Sequence, residues 1–167
     1  MSAFRGAGHG SGSVPDVQTI LVASDAPTLR REVEAVISGP DVEVRAVTSG
    51  PEVVTSVAEE SPDLVIVDMQ MGNMGGMAVC LELRLQESYD AVDHIPVLML
   101  LDRRPDVFLA RRSGAEGWLV KPLDPLRLRR AVAALLDGGT YTDDSFTPVP
   151  VLVGDGPQLQ AGPETRP

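Results

Sequence analysis

Apolar residues recur along the chain in two alternating rhythms. Short runs with strand character are Val17–Ala23 (VQTILVA), Val42–Val47 (VEVRAV), Asp63–Val67 (DLVIV), Pro96–Leu101 (PVLMLL) and Gly117–Val120 (GWLV). Between them, apolar positions fall three or four residues apart, as on one face of a helix. Leu29, Val33, Val36 and Ile37 predict a first helix opened by Pro27 and stopped by Gly39-Pro40. Val53, Val54, Val57 and Ala58 predict a second, opened by Pro51. A third spans about Met77–Glu87, is apolar on most faces, and is expected to be well covered. A short, weak helix is expected over Pro105–Arg112 before Gly114. The last has Leu128, Val132, Leu135 and Leu136 inward, Asp124 as N-cap, Pro125 as first residue and Gly138-Gly139 as its end.

Strand and helix thus alternate five times, with every connection of crossover length. That pattern calls for a doubly wound α/β fold, a parallel sheet covered by helices on both faces. The expected architecture is flavodoxin-like, (βα)5, with strand order 2-1-3-4-5 and a switch point between the first and third strands. Residues 1–15, rich in Gly and Ser, are expected to form a disordered arm, residues 16–138 the folded domain, and residues 139–167 a Pro- and Gly-rich acidic tail too short for an output domain. Val149, Val151, Leu152 and Val153 could dock that tail on the body.

The stretch Ser61–Gly76 (SPDLVIVDMQMGNMGG) carries the candidate chemistry. Asp68 ends a strand that reads as buried on both faces, and Gly72, Gly75 and Gly76 punctuate the loop beyond it. Ligands bind at that edge of an open α/β sheet. With strands about 4.8 Å apart, Asp25 on the first strand and Asp68 on the third can both reach a hard divalent cation such as Mg²⁺. Lys121, two strands from Asp68, can bring a positive charge to an anion bound there. A carboxylate nucleophile, a metal and a lysine are the parts needed to accept a phosphoryl group; the plain alternative is a structural Asp–Lys ion pair.

Composition narrows the choice. A net charge of −10 argues against direct binding of nucleic acid or of an anionic membrane. One cysteine, Cys80, excludes an internal disulfide and reads as a buried apolar residue. No apolar run approaches the roughly 20 residues that span a bilayer, and the N-terminus lacks the apolar centre of a secretory signal, so a cytoplasmic location is expected. His94 is expected to be exposed on a polar connector. Met69, Met71, Met74 and Met77 are read as loop packing. No Walker loop, zinc pattern or Ser-His-Asp arrangement is present. A nucleotide- or flavin-binding enzyme is disfavoured, because the loop Ser24-Asp25-Ala26-Pro27 offers an acid and no glycine-rich cradle.

Four segments, ILVASDAPTLRREVE, PDLVIVDMQMGNMGGMAVCLELR, IPVLMLLD and GAEGWLVKPLDPLRLRRAV, resemble the receiver domains of response regulators in two-component signalling. The resemblance covers about residues 17–137. It implies that Asp68 is the phosphoacceptor, that Asp25, Asp68 and the backbone carbonyl of Gln70 hold Mg²⁺, and that Lys121 pairs with the phosphoryl group. It also implies that Lys121-Pro122 can be cis. Three switch positions depart from the family pattern. Ser24 stands in place of a second acid, which weakens the expected Mg²⁺ site. Leu101 replaces a Thr or Ser and has no donor. Trp118 replaces a Tyr or Phe, and its size is expected to keep it from swinging toward Leu101. Gly72 replaces a proline.

Two readings follow. One is a stand-alone, atypical receiver, not an enzyme, phosphorylated on Asp68 by a histidine kinase or phosphotransfer protein. Its output would be contact with a downstream protein, or with itself, through the last two helices. The other is a pseudo-receiver that works by protein contact without phosphorylation. Arg103, Arg104, Arg111, Arg112, Arg127, Arg129 and Arg130 near those helices form either a docking face or a solvated surface.

Overall fold

The computed structural model describes residues 16–144; the expected disordered arm and the docking of Val149–Val153 lie outside the described residues. The elements run β1 (Gln18–Ala23), α1 (Pro27–Ile37), β2 (Val42–Val47), α2 (Gly50–Glu59), β3 (Leu64–Asp68), α3 (Gly76–Ser88), β4 (Val97–Leu101), α4 (Val107–Ser113), β5 (Gly117–Val120), α5 (Pro125–Leu136) and β6 (Tyr141–Thr142). A single 3₁₀ turn, Arg104–Asp106, leads into α4, so the short helix expected over Pro105–Arg112 splits in two. All strand pairs are parallel, in the order β2-β1-β3-β4-β5-β6. The expected 2-1-3-4-5 order holds, and a sixth strand follows it.

The alternation of strand side chains separates two apolar layers. Ile20, Val22, Leu64, Ile66, Leu98, Leu100 and Leu119 pack with α1 and α5. Leu21, Val65, Val67, Met99, Leu101, Trp118 and Val120 pack with α2, α3 and α4. Every residue of β3 and β4 is buried. The caps follow the sequence: Asp124 accepts from the Arg127 backbone N–H at 2.9 Å, and Gly114 closes α4 with φ +80°. Lys121-Pro122 is cis, as the resemblance implied.

The folded body extends past 138. β6 pairs with Gly117 and Trp118 of β5. Asp143 then accepts from the Val120 backbone N–H at 3.1 Å and from Arg127 Nη1 at 2.7 Å, with its side chain 1% exposed. The acidic composition that marked this segment as tail hid one carboxylate with two specific donors to satisfy.

Helix α3 is not covered on all faces. Val79, Cys80 and Leu83 face inward, while Leu81, Leu85 and Tyr89, each four residues on, stay 45%, 49% and 75% exposed. The apolar character around the helix is one buried face plus an exposed apolar stripe. Cys80 is fully buried, as expected; burial pushes its thiol up from the ordinary value, and its S–H donates to the Ser113 carbonyl. Met69 and Met71 are buried and Met74 and Met77 pack against the same layer, as loop packing requires.

His94 is exposed, with one ring nitrogen 2.8 Å from Glu87 and the other 3.3 Å from Glu116. Arg84 ties the same two acids to α3, and its guanidinium also donates to the carbonyls of Ile95 and Gly114. Burial alone would raise the Glu87 carboxyl, but His94 and Arg84 outweigh it and hold the group below the ordinary glutamate value. This network locks the N-terminal edge of the sheet, opposite Asp68.

Candidate functional site

Parallel register assembles the site. Ala23 of β1 pairs with Val67 of β3, so the next residues, Ser24 and Asp68, leave the sheet side by side. Leu101 of β4 pairs with Val120 of β5, so Asp102 and Lys121 do the same. The Lys121 backbone N–H donates to the Leu101 carbonyl at 2.8 Å and holds that exit together.

Asp68 is 2% exposed, and every acceptor it presents is engaged. Lys121 Nζ donates to Oδ1 at 2.7 Å and the Gln70 backbone N–H donates to the same oxygen at 3.2 Å. The Ser24 hydroxyl donates to Oδ2 at 2.9 Å and itself accepts from the Ala26 backbone N–H at 3.1 Å. A buried carboxylate is tolerated when it is paired and hydrogen-bonded in this way. Asp25 is exposed, and its carboxylate accepts from the Gly72 backbone N–H at 2.9 Å, which draws it across to the β3–α3 loop. The structure brings Asp25, Asp68, Gln70 and Lys121 to one edge. Ser24 is more than a missing charge: its hydroxyl is spent on Asp68.

The loop after Asp68 returns close to the strand. A β-carbon on Gly76 would stand 2.7 Å from the Asp68 carbonyl oxygen, closer than real side chains come. Glycine there lets α3 begin directly against the end of β3.

The donor set suits a hard divalent cation. It would comprise two carboxylates, Asp25 and Asp68, and the backbone carbonyl of Gln70, and Mg²⁺ typically takes one or two carboxylates and fills its remaining positions with water and phosphate oxygens. Ser24 adds no charge to that set. Among the described residues no group of three or more His, Cys, Asp or Glu side chains is placed to hold a metal by itself.

Leu101 is fully buried in the layer that also holds Trp118. Trp118 is 7% exposed, with the Arg111 guanidinium 5.2 Å from its ring centroid. The indole therefore already packs inward. It shares that apolar layer with Leu101. The arginines are held in different ways. Arg127 is held by Asp143 and the Pro122 carbonyl, and Arg129 by the Val36 carbonyl. Arg111 and Arg112 lie over Trp118 and Phe108.

One residue of the site escaped the sequence reading. Asp102 lies 3.2 Å from Lys121 Nζ, so that ammonium is shared between two carboxylates. The β4–β5 register carries the signal, because it sets the residue after Leu101 beside the residue after Val120.

Comparison with known proteins identifies the family. The model of the response regulator receiver domain matches residues 20–133. The DNA-binding response regulator MtrA of Mycolicibacterium smegmatis is 33% identical over 121 residues, 71% of this chain and 50% of that protein. The nitrate/nitrite response regulator protein NarL of Escherichia coli K12 is 33% identical over 133 residues, 78% of this chain and 60% of that protein. The chain therefore spans about half to three-fifths of the length of these curated relatives. Among solved structures, the signal receiver domain of a histidine kinase from Syntrophus aciditrophicus is similar with a TM-score of 0.65 and 29% identity, over 72% of this chain and 91% of that one. The chemotaxis response regulator CheY4 of Vibrio cholerae gives 0.62 and 26%, over 70% and 97%. No helix among the described residues is long and apolar enough to cross a membrane. With a family model matching most of the chain, over a sheet that carries a paired aspartate and lysine at its C-terminal edge, this protein belongs to the response-regulator receiver domain family.

Proposed function

We propose that the chain is an atypical receiver that accepts a phosphoryl group on Asp68 from a histidine kinase or a phosphotransfer protein. The observation that supports this most is the buried Asp68 carboxylate held 2.7 Å from Lys121 Nζ at the end of the central strand. A carboxylate oxygen of Asp68 attacks phosphorus, the donor's P–N bond breaks, and the electron pair leaves with the imidazole nitrogen. Lys121 neutralises charge on the arriving group. Asp25, Asp68 and the Gln70 carbonyl would hold Mg²⁺, which supplies further neutralisation of the phosphoryl oxygens when bound. The protein signals and does not turn over a substrate: the output is contact with a downstream protein or a second copy through the α4–α5 side, where Arg111 and Arg112 sit over aromatic rings. Direct nucleic-acid binding is not part of this reading, given the net charge of −10; the setting is cytoplasmic.

A second reading, the phosphorylation-independent pseudo-receiver, draws on one specific contact. Ser24 occupies the Asp68 oxygen that Lys121 leaves free, and Leu101 offers no hydroxyl to sense a phosphoryl group. Intact-mass measurement after incubation with a small phosphodonor and Mg²⁺, with Asp68→Asn as control, separates the two. A single adduct requiring both Mg²⁺ and Asp68 supports the first reading. No adduct at saturating donor and metal supports the second.

A further inference from the structure

Lys121 Nζ stands between two carboxylates, 2.7 Å from Asp68 Oδ1 and 3.2 Å from Asp102 Oδ1. We propose that Asp102 is a positioning residue for the chemistry at Asp68: it shares Lys121 with the acceptor and so restrains phosphoryl uptake. The inference rests on Asp68 being the phosphoacceptor.

Charge placement carries the argument. The loops at this edge bring together three carboxylates, Asp25, Asp68 and Asp102, and one ammonium, Lys121. Ser24 stands where the pattern that the segments resemble has an acid beside Asp68, and Asp102 places an acid on the β4 side. The two positions have opposite effects. An acid beside Asp68 adds to the cation donors. One beside Lys121 takes up the positive side chain that is paired with the acceptor. A lysine has three N–H donors but a single charge, and a second carboxylate within hydrogen-bond distance weakens its field at the first.

Uptake from an acyl phosphate shows what that sharing does. A carboxylate oxygen of Asp68 forms a bond to phosphorus, the donor's P–O bond breaks, and its electron pair leaves as acetate, with no proton required. Throughout the step the group in transit is anionic. Asp102 repels it and holds back part of the lysine that would offset its charge. The Asp102 side chain is 40% exposed and Lys121's is 22% exposed, so both can exchange partners without unpacking the core. The nearer, buried Asp68 is fixed by Gln70 and Ser24, so Lys121 and Asp102 are the members of the trio free to adjust.

The test is the rate of adduct formation with acetyl phosphate and Mg²⁺, followed by intact mass, for the wild type, Asp102→Asn and Asp102→Glu. Asp102→Asn, close in shape and without charge, is expected to take up the phosphoryl group three- to tenfold faster. The gain should shrink as ionic strength rises from about 0.05 to 0.5 M, because screening weakens an exposed charge. Asp102→Glu should return the rate to the wild-type value. A purely structural role would change melting temperature without this salt dependence or rescue. Equal rates in wild type and Asp102→Asn, with both forming the adduct on Asp68, overturn the role of Asp102 alone. No adduct in any of the three overturns the phosphoacceptor reading and this inference with it. An adduct in Asp102→Asn where the wild type forms none supports both.

Discussion

The Ser24 hydroxyl and the Lys121 ammonium hold opposite oxygens of the same carboxylate, Asp68 Oδ2 at 2.9 Å and Oδ1 at 2.7 Å. A cation recruiting Oδ2 would share that oxygen with the hydroxyl, which brings no charge to the site. Ser24→Asp replaces the hydroxyl with a further carboxylate. Mg²⁺ affinity by calorimetric titration should rise by about tenfold or more, while the metal-free protein loses about 1–2 kcal/mol from like charges brought together. Unchanged affinity would show that position 24 does not address the metal.

Leu101 fills a fully buried site in the layer that also holds Trp118, so restoring a hydroxyl there does not simply restore a switch. Leu101→Thr removes apolar volume and buries an O–H, and about 2–4 kcal/mol of stability should be lost in urea titration. A variant as stable as the parent would mean that this layer is looser than its packing indicates.

Gly76 has no room for a β-carbon against the Asp68 carbonyl. Gly76→Ala should push the β3–α3 loop away, lowering stability and slowing adduct formation together, whereas Gly39→Ala, at a site with nothing within 4 Å, should leave adduct formation unchanged. Equal behaviour of the two variants counts against the close approach.

Glu52 at the start of α2 gives a signed pH effect. The Ser49 hydroxyl first, and then the Thr48 amide and hydroxyl, donate to its carboxylate and hold it below the ordinary 4.5. A carboxyl depressed on folding stabilises the fold above its unfolded value, and that contribution fades as pH falls through the folded value. In an NMR titration the Glu52 midpoint should lie below 4.5, and Glu52→Gln should flatten the acid limb of the stability profile. A midpoint at or above 4.5 would remove the effect.

Breaking the Arg127–Asp143 pair should be costly for a surface loop. Asp143→Ala leaves the Val120 N–H without its carboxylate and Arg127 without its nearest acid, for a loss of about 2–4 kcal/mol. Hydrogen exchange at the Val120 amide should accelerate in parallel. No change in either would mean that β6 holds without this residue.

The sequence resolved this protein unevenly, for physical reasons. Long apolar runs, Pro and Gly stops and the Asp124 cap made the strands, helices and strand order readable, because each is set by local chemistry. Asp25, Asp68 and Lys121 were readable because each follows a strand that ends on the same edge. Asp102 and the Ser24 hydroxyl bond were not, since both arise from register between strands far apart in the chain. Helix α3 misled for a related reason: apolar residues around the whole circumference do not reveal which of them the neighbours reach. The short β6 carries no periodicity, and what holds it is a pairing with β5 and one buried carboxylate.

That short strand changes how the sheet meets the outside world. Without residues 141–143, the outer strand would be Gly117–Val120, four uncharged residues with backbone groups open to any passing strand. Open edges of that kind seed sheet-to-sheet association between molecules. Among the described residues this edge is two paired residues followed by Asp143 and Asp144, and short, charged edges discourage such templating. Removing the acidic segment as dispensable would expose that edge, and the outcome to expect is aggregation.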